Sequence, residues 1–197
     1  MSEDNNYVII GISGCTNSGK TTMTDRLLKL FPSASQMCQD TYFLEPGDER
    51  LEFVPEVNHS NWEKLSALDM DRMVRDVKQW IKDSKHSNSH QIPILFIEGF
   101  TIFNHSPLKD LCNKKYFFTM DFETCQERRS GRNYIPADPE GYFEKIVWPM
   151  YFSNKSELNH YKDIVYLNGC DPQEKTLKTI LEDIYTLPAL KKLHFIS

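Results

Sequence analysis

The stretch Tyr7-Val8-Ile9-Ile10-Gly11-Ile12-Ser13-Gly14-Cys15-Thr16-Asn17-Ser18-Gly19-Lys20-Thr21-Thr22 decides the fold. It opens as a short apolar, β-branched strand, and the run from Gly14 to Thr21 then satisfies GxxxxGK[ST], a phosphate-binding loop. Glycines let such a loop turn so that successive backbone N–H groups face a β-phosphate. Lys20 reaches the β- and γ-phosphates, and the Thr21 hydroxyl ligates Mg²⁺. Beyond the loop, Met23, Leu27, Leu28 and Phe31 recur at helical spacing, which predicts a helix over 19–30 whose positive N-terminal end faces the same anion. Strand, loop and helix in this order specify a chain that holds a nucleoside triphosphate by its phosphates, with Gly14 to Thr22 as the nucleotide-binding segment.

At 197 residues the chain reads as one domain, 1–197, large enough to bury a core. A net charge of −5 and a pI near 5.7 argue against a nucleic-acid binder, which would carry an excess of Lys and Arg. The implied partner is a small molecule. Five cysteines, Cys15, Cys38, Cys112, Cys125 and Cys170, show no CxxC spacing, so they predict reduced thiols rather than a disulfide framework or a zinc site. No stretch approaches the ~20 apolar residues of a membrane span. The polar start Ser2-Glu3-Asp4-Asn5-Asn6 lacks the pattern of a signal peptide, and the expected location is the cytoplasm.

Short apolar runs alternate with amphipathic segments, the signature of a parallel sheet covered on both faces. The pattern predicts strands over 7–12, 33–38, 92–98, 116–120 and 164–167, and helices over 19–30, 66–84, 124–131, 143–157 and 172–186. This is an α/β fold of the P-loop NTPase type: a three-layer sandwich of about five parallel strands, helices on both faces and a helical lid. The stripe Leu68, Met70, Met73, Val74, Val77, Trp80 and Ile81 reads as core and carries no chemistry. Two long irregular segments, about 41–65 and 128–142, read as a substrate loop and a lid. The polar run 82–91 reads as a mobile surface linker.

In an open parallel sheet, ligands bind beyond the carboxyl ends of the strands. That rule selects Asp40 after the second strand and Glu98 at the end of the third. Glu98 closes the run Ile94-Leu95-Phe96-Ile97, the shape of a strand whose terminal carboxylate organises Mg²⁺ or its waters. Asp40 is placed to accept the proton of an attacking hydroxyl, and it also suits a turn or helix cap. Arg128 and Arg132 stand four apart on a predicted helix, where guanidinium forks would share one face and clamp phosphoryl oxygens; a solvated face beside Glu123 and Glu127 is the alternative.

These blocks extend into a longer resemblance. Gly11-Ile12-Ser13-Gly14, the phosphate loop, Gln39-Asp40-Thr41-Tyr42-Phe43, Asn61-Trp62-Glu63, Ile97-Glu98-Gly99-Phe100, Arg128-Arg129-Ser130-Gly131-Arg132-Asn133-Tyr134, Gly141-Tyr142-Phe143 and Val147-Trp148-Pro149-Met150-Tyr151 resemble the nicotinamide riboside kinases, within the uridine kinase-like branch of P-loop kinases. The resemblance covers about the first four-fifths of the chain. It implies transfer of the γ-phosphate of ATP, with Mg²⁺, to the 5′-hydroxyl of nicotinamide riboside, and of nicotinic acid riboside also. By the same resemblance Asp40 is the general base and Glu98 an acidic partner at the Mg²⁺ and the hydroxyl. Glu63 and Arg129 hold the ribose hydroxyls, Arg128 and Arg132 close over the phosphates, and Trp62 and Tyr134 sandwich the pyridine ring. A flat pyridinium cation between two aromatic faces gains about 0.5–2 kcal/mol from each. As isolated features the same two rings also suit a core.

Two positions depart from the family pattern. Thr41 stands where a second Asp is usual, and Glu63 stands where Asp is usual, one methylene longer. A uridine or cytidine kinase is the near alternative, one that needs hydrogen bonds to the edge of a base. A GTP-dependent switch lacks its guanine-reading signal, because Asn113-Lys114-Lys115-Tyr116 has no Asp, and Asp138-Pro139-Glu140-Gly141 reads as a turn that mimics DxxG by coincidence. An inactive ATP-binding module is the remaining alternative. The expected partners are ATP and a nucleoside, with no nucleic acid or membrane, in a monomer or weak homo-oligomer.

Overall fold

A computed structural model describes residues 7–85 and 91–190 of the chain. In chain order the described strands and α-helices are β1 (Val8–Gly14), α1 (Lys20–Leu30), β2 (Ser35–Cys38), β3 (Phe53–Val54), β4 (His59–Ser60), α2 (Met70–Lys85), β5 (Ile94–Glu98), α3 (Ser106–Lys109), β6 (Lys114–Thr119), α4 (Phe122–Ser130), α5 (Trp148–Glu157), β7 (Ile164–Asn168) and α6 (Gln173–Ile184). Residues 86–90 of the expected linker lie outside the described residues.

Five strands form one parallel sheet in the order β2-β5-β1-β6-β7. Both faces are covered, so alternate residues of each strand enter different cores. Val8, Ile10 and Ile12 of β1 and Ile94 and Phe96 of β5 pack with Met23 and Leu27 of α1 and Ile180 and Ile184 of α6. Ile9, Leu95 and Ile97 pack on the other side with Met73, Val74 and Val77 of α2 and Val147 and Tyr151 around α5. The result is the expected three-layer α/β sandwich, and the apolar stripe of α2 is core.

The structure corrects several boundaries. α2 begins at Met70 rather than at 66, because Leu65–Ala67 makes a separate 3₁₀ turn and Leu68 bridges to Phe43 before Asp69 caps the helix through the Arg72 N–H (2.9 Å). The single helix over 143–157 divides into a π-helical turn, Phe143–Val147, and α5. Pro149 has no N–H for the carbonyl four residues back, which interrupts the α-helical ladder there. Two elements carried no sequence signal long enough to read: α3, and the β3–β4 hairpin inside the expected substrate loop, where Phe53 pairs with Ser60 and Val54 with His59.

The parallel sheet aligns its functional ends. β1 ends in the phosphate loop, and in the β2–β5 register Cys38 lies opposite Glu98, so Asp40, second residue of the turn that follows β2, stands at the same end of the sheet. Gly14 can stand there only without a side chain. Its φ is +125°, and a Cβ would lie 2.1 Å from the Phe118 carbonyl oxygen of β6.

Candidate active site

A cavity of about 520 Å³ opens at the carboxyl ends of β1, β2 and β5, within the range of small-molecule sites. The phosphate loop forms its floor. Thr16, Asn17, Gly19, Lys20, Thr21 and Thr22 line the cavity, whereas Cys15 turns its side chain into the core, with Sγ 3.3 Å from Cys125 Sγ. The Ser18 hydroxyl is also buried. Gly14, Cys15 and Ser18 therefore shape the loop from beneath. The Lys20 ammonium donates to the carbonyls of Cys15 (2.7 Å) and Gly14 (3.1 Å). Burial pushes its pKa down, and the surrounding Cys15, Asp40, Glu98 and Glu63 oppose that fall.

Two carboxylates of different environment stand over this floor. Asp40, exposed at the rim, belongs to the 3₁₀ turn Gln39–Tyr42 that ends β2. Glu98 is 2 % exposed at the end of β5 and accepts a bond from Gln36 Nε2 (2.9 Å), while its Oε2 is buried without a hydrogen-bond partner. Burial raises its pKa, partly offset by Thr21, Lys20 and Cys38. Buried polar Gln39 fixes the two strand ends relative to each other. Its Nε2 donates to the Thr101 hydroxyl (3.0 Å) and its Oε1 accepts the Thr101 N–H (3.1 Å).

Mg²⁺ needs few protein ligands when nucleotide phosphates supply the others. Among the described residues no cluster of three acidic, histidine or cysteine side chains forms a metal cage. The unpartnered Oε2 of Glu98 beside Thr21 fits such a sparsely ligated Mg²⁺.

α4 and the segment after it form the opposite wall. Asp121 caps α4 by accepting the Thr124 N–H (2.7 Å), and near the other end of the helix Arg129 is buried, 7 % exposed. Arg129 donates Nε and Nη2 to Asp138 (2.6 and 3.2 Å) and Nη1 to the Thr16 hydroxyl (3.3 Å), and the same Nη1 lies 3.4 Å from Glu63 Oε1. Burial acts against the guanidinium, but Asp138 and Glu63 outweigh it and its pKa is raised. Burial also pushes Glu63 up to about 7, with Arg129 opposing.

Arg128 and Arg132 do not share a helical face. α4 stops at Ser130 and tightens, the Arg132 N–H bonding to the Arg129 carbonyl (3.0 Å), so the i, i+4 relation no longer holds. Arg132 lines the cavity from the loop. Arg128 instead donates to the carbonyls of Asn17 (3.3 Å) and Gly169 (3.2 Å), bracing the phosphate loop from outside.

Trp62 and Tyr134 both line the cavity, with three further rings that sequence reading assigned no role, Phe43, Phe100 and Tyr142. Phe43 stacks on Phe100 (5.9 Å, 19°) and meets Trp62 edge-on (5.8 Å, 79°). The Arg129 guanidinium lies over the Tyr134 ring at 4.4 Å, and the Tyr134 hydroxyl accepts from Asn17 Nδ2 (3.2 Å). Asp138 is the other residue missed: the turn lies one residue later than expected, closed by the Tyr142 N–H on the Pro139 carbonyl (3.1 Å), and the Asp138 carboxylate holds Arg129. Thr41 keeps to its own turn, donating to the Cys38 carbonyl (2.8 Å). Asn113 and Lys114 are used by the fold, on the Ile9 N–H (2.7 Å) and on Asp183 respectively.

A phosphate loop at the end of the first strand of a parallel sheet, facing two strand-end carboxylates across an open cavity, defines a P-loop kinase. Solved structures of that class share the fold: an unliganded sugar kinase from a Janibacter species (TM-score 0.58, 14 % identity, 93 % of this chain and 98 % of that one) and thymidylate kinase from Candida albicans (TM-score 0.56, 13 % identity, 91 % and 92 %). No protein-family model matches the chain. Nicotinamide riboside kinase 1 of Rattus norvegicus is 38 % identical over 184 residues, spanning 89 % of this chain and 93 % of that protein. Nicotinamide riboside kinase 2 of Mus musculus is 38 % identical over 188 residues, spanning 90 % and 95 %. The chain belongs to the nicotinamide riboside kinase family.

Proposed function

We propose that this protein transfers the γ-phosphoryl group of ATP to the 5′-hydroxyl of nicotinamide riboside, and of nicotinic acid riboside, making the mononucleotide for NAD synthesis. The observation that carries the reading is the convergence of the phosphate loop, Asp40, the Glu63–Arg129 pair and a set of aromatic rings on one cavity.

In this reading backbone N–H groups of the loop and Lys20 hold the β- and γ-phosphates. Thr21 and Glu98 would hold Mg²⁺, which neutralises charge on the transferred phosphoryl group. Asp40 accepts the proton of the attacking hydroxyl; an exposed carboxylate at the rim meets a substrate entering from solvent. Glu63 and Arg129 bind the ribose hydroxyls, and Arg132 covers the phosphate oxygens. Trp62 and Tyr134 face the pyridine ring, with Phe43 edge-on to Trp62 and Phe100 stacked on Phe43. Recognition through ring faces and ribose leaves the carboxamide weakly read, which admits the acid analogue.

Among the described residues no helix is long and apolar enough to cross a membrane. We assign the enzyme to the cytoplasm, as a monomer or weak homo-oligomer acting on small molecules. The test is ADP release with ATP and Mg²⁺, offering nicotinamide riboside, nicotinic acid riboside, uridine and cytidine side by side. Faster turnover of the pyridine ribosides supports the reading, and faster turnover of the pyrimidines rejects it in favour of nucleotide salvage.

A further inference from the structure

Tyr142 joins the lid to the substrate loop through a single hydroxyl. The residue follows Gly141 (φ +75°) at the end of the segment after α4, and its side chain is 1 % exposed. The hydroxyl accepts the backbone N–H of Trp62 (3.0 Å) and donates to the carbonyl of Ser60 (3.1 Å). Its ring meets His59 edge-on at 5.2 Å. Burial raises the phenol pKa, so the single proton stays on the oxygen. With that proton committed to Ser60, the lone pairs are left for Trp62.

The backbone at Trp62 needs an outside partner. β4 ends at Ser60, and a hairpin of two-residue strands has little stability of its own. Asn61 is tied within the loop, its N–H bonding to the Glu52 carbonyl (2.7 Å), and Glu63 N–H bonds to Asn61 Oδ1 (3.1 Å). The Trp62 N–H between them goes to the tyrosine. The indole ring is thereby held against the cavity at the position where Phe43 meets its edge.

We propose that Tyr142 is a positioning residue for the nucleoside: its hydroxyl fixes the backbone of Trp62 and so sets the indole that faces the substrate ring. The proposal rests on Trp62 being a nucleoside contact, as in the function proposed above.

Tyr142→Phe removes one oxygen and keeps the packed ring. It is expected to raise the KM for the nucleoside about tenfold, the size of one lost hydrogen bond, with kcat and the KM for ATP within about twofold. In a Trp62→Ala background, where there is no indole left to position, it is expected to add less than about twofold. An unchanged nucleoside KM in Tyr142→Phe overturns the proposal. So does a joint rise of both KM values with a lowered melting temperature, which marks general loosening, and so does a full tenfold effect in the Trp62→Ala background. The assays use whichever nucleoside the wild type turns over. A wild-type preference for uridine therefore counts against the pyridine riboside reading alone, and an unchanged KM counts against Tyr142 alone. Should Tyr142→Phe melt below the assay temperature, hydrogen exchange of the wild-type Trp62 amide carries the test: protection supports the proposal and free exchange overturns it.

Discussion

Arg129 and Asp138 form a two-pronged ion pair across the turn that follows α4, with Nε 2.6 Å from one carboxylate oxygen and Nη2 3.2 Å from the other. Glu63 lies on the far side of the same guanidinium at 3.4 Å. The pair therefore aims Arg129 at the residue proposed to share the ribose with it. Asp138→Asn keeps the shape and removes the charge, and it is expected to weaken nucleoside binding by about 1.5–3 kcal/mol, the worth of hydrogen bonds to a charged group. Steady-state KM for the riboside, compared with that for ATP, is the measurement; equal changes in both would contradict this placement.

Glu63 imposes a pH dependence on stability. Its pKa rises from 4.5 to about 7 on folding, so between those values the folded state binds more protons than the unfolded state. The carboxyl's favourable contribution is full below pH 4.5 and is lost as pH rises through about 7, amounting to roughly 3 kcal/mol by linkage. Glu63→Gln cannot ionise. Melting temperatures at pH 5 and pH 7.5 are expected to show the wild type losing ground to the variant at the higher pH; parallel curves would refute the burial argument.

Asp40→Ala is expected to abolish turnover while leaving ATP binding within about twofold, because a proton acceptor acts in the transition state rather than on the bound nucleotide. Isothermal titration with ATP beside an ADP-release assay separates the two. Retention of near-wild-type kcat would remove Asp40 from the base role.

Gly99 follows Glu98 at the mouth of the cavity, and a Cβ there would lie 2.3 Å from the Gln39 amide oxygen. Gln39 is fully buried and bonded to Thr101, so it has little room to retreat. Gly99→Ala is expected to cost about 1–3 kcal/mol from overpacking, and about 2–4 °C in melting temperature per kcal/mol for a chain of this size. Because Gln39 joins the strand ends bearing Asp40 and Glu98, kcat should fall as well. Thermal melts and kinetics on one sample test both effects.

Much of the fold was legible because its signals are local. Apolar runs of four residues mark β1, β5 and β7, and GxxxxGK[ST] places its own strand and helix. The carboxyl-end rule located Asp40 and Glu98 because a parallel sheet aligns all its strand ends. Pairings between segments were not legible. The β3–β4 hairpin is built from two-residue strands, too short to carry a period, and nothing in Asp138-Pro139-Glu140-Gly141 announces a partner nine residues earlier. Arg128 and Arg132 show the opposite error, since the spacing was read on a helix that the chain ends at Ser130.

By itself the sequence determined the α/β sandwich, its phosphate loop and the identity of the acidic residues at the strand ends, since each depends on neighbours within a few positions. Only the tertiary structure decided which groups act on one another. It set Asp138 on Arg129, Tyr142 on the backbone of Trp62 and Arg128 outside the cavity, because those relations depend on where the loops fold back across the sheet ends. Burial is likewise a property of the assembled chain, and burial is what raises Glu63 to about 7.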